Sequence, residues 1–85
     1  GDVYKRQICI HPAHQGKGWG RALMQACEQN THTPFIKLCV RPNNEPATNL
    51  YRSMGYLPID TWRGYYNDGG DALVMQKSLD EFFRR

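Results

Sequence analysis

Long apolar runs are missing from this 85-residue chain, so neither a membrane-spanning helix nor a secretory signal is expected of it. Cysteine is sparse. The three thiols, Cys9, Cys27 and Cys39, form an odd set with no CxxC pair, which points to reduced side chains and a cytoplasmic setting. Cys9, His11 and His14 lie close together, but a further ligand is lacking and the spacing fits no zinc pattern, so no metal is expected. Internal repeats, low-complexity tracts and linker-like stretches are absent too, which leaves one small domain with a thin core. Nor is there a basic stripe. The formal charge of +3 and the pI near 8.9 are spread along the chain, which argues against direct nucleic-acid binding and suits an acidic, phosphorylated ligand.

What the chain does contain is a dense stretch from Ile8 to Met24, where an apolar strand end runs into a glycine loop and then a helix. Gly16, Gly18 and Gly20 leave backbone N–H groups with no side chains to hold an anion away, and the helix beginning there adds the positive end of its dipole. Such a loop suits a phosphate. The Gly-x4-Gly-Lys-Ser/Thr pattern of a nucleotide P-loop is missing, and the GxGxG spacing differs from the dinucleotide-binding fingerprint.

Residues 8–10 read as a strand end stopped by Pro12, followed by a helix from Gly18 or Gly20 to Asn30 that buries Leu23, Ala26 and Cys27. Residues 35–40 read as a second strand, with Ile36, Leu38 and Val40 on one face and Phe35, Lys37 and Cys39 on the other. It is expected to run parallel to the first through a right-handed helical crossover. Asn43 or Asn44 caps a second helix, which tolerates Pro46 in its first turn and stops at Gly55 after Met54. Residues 56–62 read as a strand despite Pro58, residues 64–70 as an exposed turn and residues 72–76 as a last apolar strand, forming an antiparallel hairpin. Residues 1–7 resemble the translation of a sequencing-library adapter and are expected to be a non-native leader, although Val3 and Tyr4 would also suit a longer first strand. Residues 80–85 read as a tail whose two phenylalanines could dock on the sheet, leaving 8–79 as the domain.

The order strand, Gln15-Gly-Lys-Gly-Trp-Gly20, helix, strand, Asn44-x-x-Ala47-x-x-Leu50-Tyr51-x-x-x-Gly55-Tyr56, strand, turn, strand resembles the carboxyl-terminal half of a GNAT N-acetyltransferase over residues 8–79. The resemblance implies a truncated α/β (α+β) GNAT fold, a mixed sheet of about four strands with two helices, a splayed parallel strand pair and a C-terminal antiparallel hairpin. It implies acetyl-CoA as co-substrate, with Gly16, Lys17, Gly18, Trp19, Gly20 and Arg21 at the pyrophosphate, Gln15 orienting the loop, and Trp19 packing into the fold rather than stacking on adenine. Backbone groups of Ile8, Cys9 and Ile10 would pair with the pantetheine arm, and Asn44 would cap the second helix and reach the cofactor. Tyr51 matches the tyrosine that protonates the leaving thiolate of coenzyme A. A phenol near pKa 10 suits that task because it is still protonated at neutral pH. The plainer reading of Tyr51 is a core aromatic beside Leu50.

The ending Arg63-Gly-Tyr-Tyr-Asn-Asp-Gly-Gly-Asp-Ala-Leu-Val-Met75 looks like that of the protein amino-terminal acetyltransferases, including those acting on ribosomal-protein alanine. Tyr65 and Tyr66 would then line the slot for the peptide amine, against the alternative of simple packing over the sheet edge. One departure matters. Cys39 stands where the bacterial alanine acetyltransferases carry a glutamate general base, and a thiol near pKa 8.5 is a poor substitute. Deprotonation is left to water held by backbone carbonyls, or to His11 or His14, each of which also reads as an ordinary loop residue. The expected chemistry is direct attack of a primary amine, that of a protein or peptide N-terminus, on the thioester, with an N–H near Ile10 at the oxyanion and Tyr51 as acid. The alternatives are a truncated acetyl-CoA-binding fragment without catalysis and an acetyltransferase for a small-molecule amine. No membrane partner is expected, and the sequence leaves the oligomeric state open.

Overall fold

The structure, a computed structural model, describes residues 9–11 and 19–79. Within them the elements are β1 (Cys9–Ile10), α1 (Trp19–Asn30), β2 (Phe35–Val40), α2 (Glu45–Ser53), β3 (Leu57–Trp62) and β4 (Ala72–Ser78). Residues 1–7, expected to be a leader, and 80–85, expected to be a tail, lie outside the described residues.

The strands form one sheet in the order β1-β2-β4-β3. β1 and β2 are parallel, paired at Cys9↔Lys37 and Ile10↔Leu38. β4 runs antiparallel to β2 in unbroken register from Phe35↔Ser78 to Val40↔Leu73, and the Leu79 N–H extends this ladder to the Pro34 carbonyl at 2.7 Å. The expected hairpin of β3 and β4 is present. Its second strand, however, slots between β2 and β3, a placement that local sequence does not encode. Pro58 is accommodated because β3 is an edge strand with a register irregularity between Pro58 and Asp60, so the missing N–H costs no central ladder bond.

Alternation along β2 divides the core. Ile36, Leu38 and Val40 pack with Met24, Tyr51, Tyr56, Met75 and Leu79 beneath the two helices, whereas Cys39 joins Ala72 and Val74 on the opposite face. Helix α1 spans the expected residues but turns a different side inward. Gly20 and Met24 are buried and Cys27 half-buried, while Leu23 is 40% exposed and Ala26 is exposed. In a two-layer fold only one stripe of the helix meets the sheet, and Leu23 lies about 100° around the axis from Met24. Trp19, expected inside, is 66% exposed because it lies next to Gly20 on the outward side.

Helix α2 follows its sequence signals closely. The Asn44 side-chain oxygen accepts the Ala47 N–H at 3.3 Å, Pro46 sits in the first turn, and Gly55 closes the helix at φ 102°. Tyr56 N–H to Tyr51 carbonyl (2.9 Å) and Gly55 N–H to Arg52 carbonyl (3.0 Å) complete a Schellman motif. That motif aims Tyr56 back into the core, where its hydroxyl donates to Glu28 of α1 at 2.7 Å and Lys77 of β4 donates to the same carboxylate at 3.0 Å.

Candidate functional site

Because β4 is antiparallel to both β2 and β3, the strands β1, β2 and β3 all point the same way. Their C-terminal ends and the N-terminus of α2 therefore gather at one end of the sheet, where open α/β sheets usually bind ligands. Pairing with β1 stops at Ile10↔Leu38 although β2 runs on to Val40, so Cys39 and Val40 have no β1 partner among the described residues.

Of the positions that the glycine-loop resemblance singles out, Ile8, Gln15, Gly16, Lys17 and Gly18 lie outside the described residues, as does His14. Ile10 is half-buried against the helical face of the core, Arg21 and Trp19 are exposed, and Asn44 spends its side chain on the α2 cap. Gly20 has a specific neighbour. A Cβ built on it would collide with the hydroxyl of Tyr51 and stand 3.3 Å from Leu50 Cδ2. The Tyr51 ring is 2% exposed, and its hydroxyl has no hydrogen-bond partner among the described residues. Burial pushes the phenol above its ordinary value, so it stays protonated at neutral pH.

Cys9 and Cys39 are joined by a disulfide, with Cα atoms 6.0 Å apart. The expectation of reduced thiols is corrected for this pair: β1 and β2 are neighbours, and alternation turns Cys9 and Cys39 to the same face. Cys27 is free. The bridge leaves no titratable thiol at position 39.

The two candidate substrate tyrosines do not stand alone. Tyr65 stacks with His11 at 5.6 Å between ring centroids and 10° between planes, and its hydroxyl is 2.7 Å from His11 Nε2. Trp62 packs tilted on Tyr65 at 5.3 Å, and Tyr66 meets Tyr65 edge-on at 5.3 Å. Over the Tyr66 ring lies the Arg41 guanidinium, 4.1 Å from the centroid, which is also paired to Asp68 at 3.1 Å. The Gly70 N–H, with Arg41 second, holds the Asp68 carboxyl below the usual carboxylate range, while burial pushes the Tyr66 phenol up. The result is an aromatic wall drawn from the ends of β1 and β3 and from the turn at residues 64–70. His11 was only one of two histidines open to a role in the sequence. Its contact with Tyr65 spans 54 positions, so no local signal could have revealed it.

A domain profile described as an acetyltransferase (GNAT) domain matches residues 1–58. The chain belongs to the GNAT acetyltransferase family. Among its relatives, the N-alpha-acetyltransferase RimI of Mycobacterium tuberculosis is 37% identical over 71 residues, covering 82% of this chain and 45% of that protein. The structure of the ribosomal-protein-S18-alanine N-acetyltransferase from Escherichia coli superposes with a TM-score of 0.62 at 32% identity, covering 81% of this chain and 48% of that one. Naa20 of Chaetomium thermophilum, solved in complex with a bisubstrate analogue, gives a TM-score of 0.72 at 27% identity, covering 100% of this chain and 57% of that one. This GNAT chain thus spans about half the length of the curated relatives it matches.

Proposed function

We propose that this chain carries the donor-binding and amine-facing end of an enzyme that transfers an acetyl group from acetyl-CoA to the α-amine of a peptide or protein. The observation that carries the reading is the buried Tyr51 hydroxyl, held against Gly20 at the mouth of α1 with no hydrogen-bond partner among the described residues. Leaving a buried hydroxyl unpaired costs about 1–3 kcal/mol, so its retention calls for an occupant that pairs with it. The β2 edge at Cys39 and Val40, which has no β1 partner among the described residues, is where an amide-bearing ligand would add to the sheet.

In this reading acetyl-CoA supplies the activated acyl group as a thioester. The glycine N–H groups at residues 16–20 hold its diphosphate, and a backbone N–H near Ile10 faces the developing oxyanion. Tyr51, kept neutral by burial, donates its proton to the leaving sulfur. Tyr65 and Tyr66 border the incoming amine. The names of the relatives, N-alpha-acetyltransferases and a ribosomal-protein-alanine acetyltransferase, support a peptide amine as acceptor.

The test is acetyl transfer by the protein at its full natural length to peptides with a free α-amine, to N-terminally blocked peptides with a free lysine, and to polyamines. Transfer to the α-amine is expected. Tyr51→Phe should lower kcat by about 10²-fold or more, the usual contribution of a general acid, with little change in coenzyme A affinity by calorimetry. Unchanged turnover rejects the acid role. Coenzyme A binding without turnover leaves a binding segment instead of a catalytic one, and preference for polyamines moves the acceptor to small molecules.

A further inference from the structure

We propose that His11, acting through the Tyr65 hydroxyl, draws the proton from the incoming α-ammonium; this rests on the acetyl-transfer reading above and names the missing base. A primary α-amine, with a pKa near 8, arrives mostly protonated at neutral pH and must lose a proton before it can attack. The residue at the expected base position cannot take it, because the Cys39 sulfur is bonded to Cys9. The carboxylates bordering the aromatic wall are committed elsewhere. Asp68 accepts from Arg41 and from the Gly70 N–H, and Asp60 accepts from Trp62 Nε1 at 3.2 Å and from the Thr61 N–H at 2.8 Å.

His11 follows directly on Ile10, at the end of the strand whose backbone faces the oxyanion in the reading above. Its imidazole is stacked on Tyr65, with Nε2 and the phenol oxygen 2.7 Å apart. With neutral imidazole, Nε2 accepts from the Tyr65 O–H, which leaves a phenol lone pair for an ammonium. His11 is exposed, so it can pass its proton on to water. Trp62 and Tyr66 buttress Tyr65 from two sides and fix the phenol's direction. Among the described residues, the ionisable groups near the pair include Tyr66 and Asp68 from the turn, Asp71, which accepts the Gly64 N–H, Arg41 after β2 and Asp60 on β3.

The protons balance as follows. An N–H bond of the ammonium breaks as its proton joins the Tyr65 oxygen, and the Tyr65 proton moves to His11 Nε2, which becomes imidazolium and then discharges to solvent. The freed lone pair forms the C–N bond and the C–S bond breaks. Tyr51 protonates the sulfur and is restored by the second proton leaving the new amide nitrogen. Tyr65 is the catalytic residue of the pair, and His11 is the positioning residue behind it.

The experiment compares the full natural-length protein with its His11→Gln, Tyr65→Phe and doubly substituted forms, following kcat/KM for an alanine-initiated peptide from pH 6 to 9.5. At pH 7 each single substitution should cost about 10²-fold, the lower end for lost general-base help, and the double no more than the worse single. The His11→Gln defect should shrink steeply above pH 8.5, where the amine is already free. A readout independent of turnover is the ring-nitrogen NMR signal of the imidazole in the unliganded protein: losing the Tyr65 hydroxyl, 2.7 Å from Nε2, should move the His11 signal and leave that of the exposed His32 where it was. A His11→Gln protein that keeps its rate, or loses it equally at every pH, overturns the relay, as does a His11 ring-nitrogen signal blind to Tyr65. Absence of transfer by the unaltered protein overturns the acetyl-transfer reading and the relay with it.

Discussion

Gly20→Ala should destabilise the fold, although glycine-to-alanine in a helix ordinarily stabilises by about 1 kcal/mol. The reason is one contact. The added methyl would occupy the position of the Tyr51 hydroxyl, and the ring behind that hydroxyl is 2% exposed and packed edge-on against Tyr56 at 6.1 Å between centroids. It cannot swing away without opening the core. Overpacking of this kind costs about 1–3 kcal/mol, so a net loss of up to about 2 kcal/mol should remain after the helix-propensity gain. In a domain this small, such a loss lowers Tm by up to about 16 °C.

The decisive comparison is the same substitution in a Tyr51→Phe background. With the hydroxyl gone, the closest remaining atoms to the new Cβ, Leu50 Cδ2 and the ring carbon Cζ, are 3.3 Å away, a distance that small adjustments relieve. Gly20→Ala should then be neutral or stabilising, which gives a coupling of about 1–3 kcal/mol between the two positions, as expected for residues in contact. Tyr51→Phe alone should stabilise the protein by about 1–3 kcal/mol, because the buried hydroxyl it deletes has no protein partner among the described residues. Urea unfolding of the four proteins reads these quantities from midpoints at constant slope. An equal effect of Gly20→Ala in both backgrounds would refute the claim that the glycine exists to admit the phenol hydroxyl.

Two further perturbations probe the rest of the molecule. Under native conditions without reductant, thiol labelling should modify Cys27 alone, and reduction of the bridge, which closes a separation of 30 residues, should cost about 3–4 kcal/mol by chain-entropy scaling; labelling of three thiols at the outset would contradict the disulfide. Alkali should unfold the protein early. Burial raises the phenols of Tyr51 and Tyr56, the latter also through its bond to Glu28, so the unfolded chain loses these protons near pH 10 while the folded one keeps them. Their stabilisation is complete below that pH and falls by up to about 1.4 kcal/mol per pH unit for each tyrosine above it; a stability flat from pH 9 to 11 would refute this.

The parts of the fold legible in the sequence are those whose cause is local. Asn44, Pro46 and Gly55 mark α2 because capping, a first-turn proline and a left-handed stop each involve residues a turn apart, and the β2 faces follow from alternation alone. The inward face of α1 was not legible. Leu23, Ala26 and Cys27 form an acceptable apolar stripe, but so do Gly20, Met24 and Cys27, and only the sheet decides between them. For the proposed site, Tyr51 and the tyrosine pair could be offered as candidates through family resemblance. The partners that define their chemistry could not, because Gly20, His11 and Cys9 reach Tyr51, Tyr65 and Cys39 across long stretches of chain.

The same geometry explains how a thin core can still hold α1 in place. At its start the helix is keyed by Gly20 fitting over the Tyr51 hydroxyl. Two turns later it is pinned by Glu28, which accepts from both Tyr56 and Lys77 in a partly buried setting. Tyr56 is directed there by the same Schellman turn that ends α2, and Tyr51 lies in the last turn of that helix. One helix end therefore supplies both contacts that orient the other helix. Since the mouth of α1 is the proposed diphosphate-binding end, a disturbance of the Gly55 turn should propagate to ligand affinity without touching any ligand-facing group. That is a consequence of which residues share a turn, and it follows from the chain's sequence only once the fold has brought Gly20 and Glu28 to the two neighbouring tyrosines.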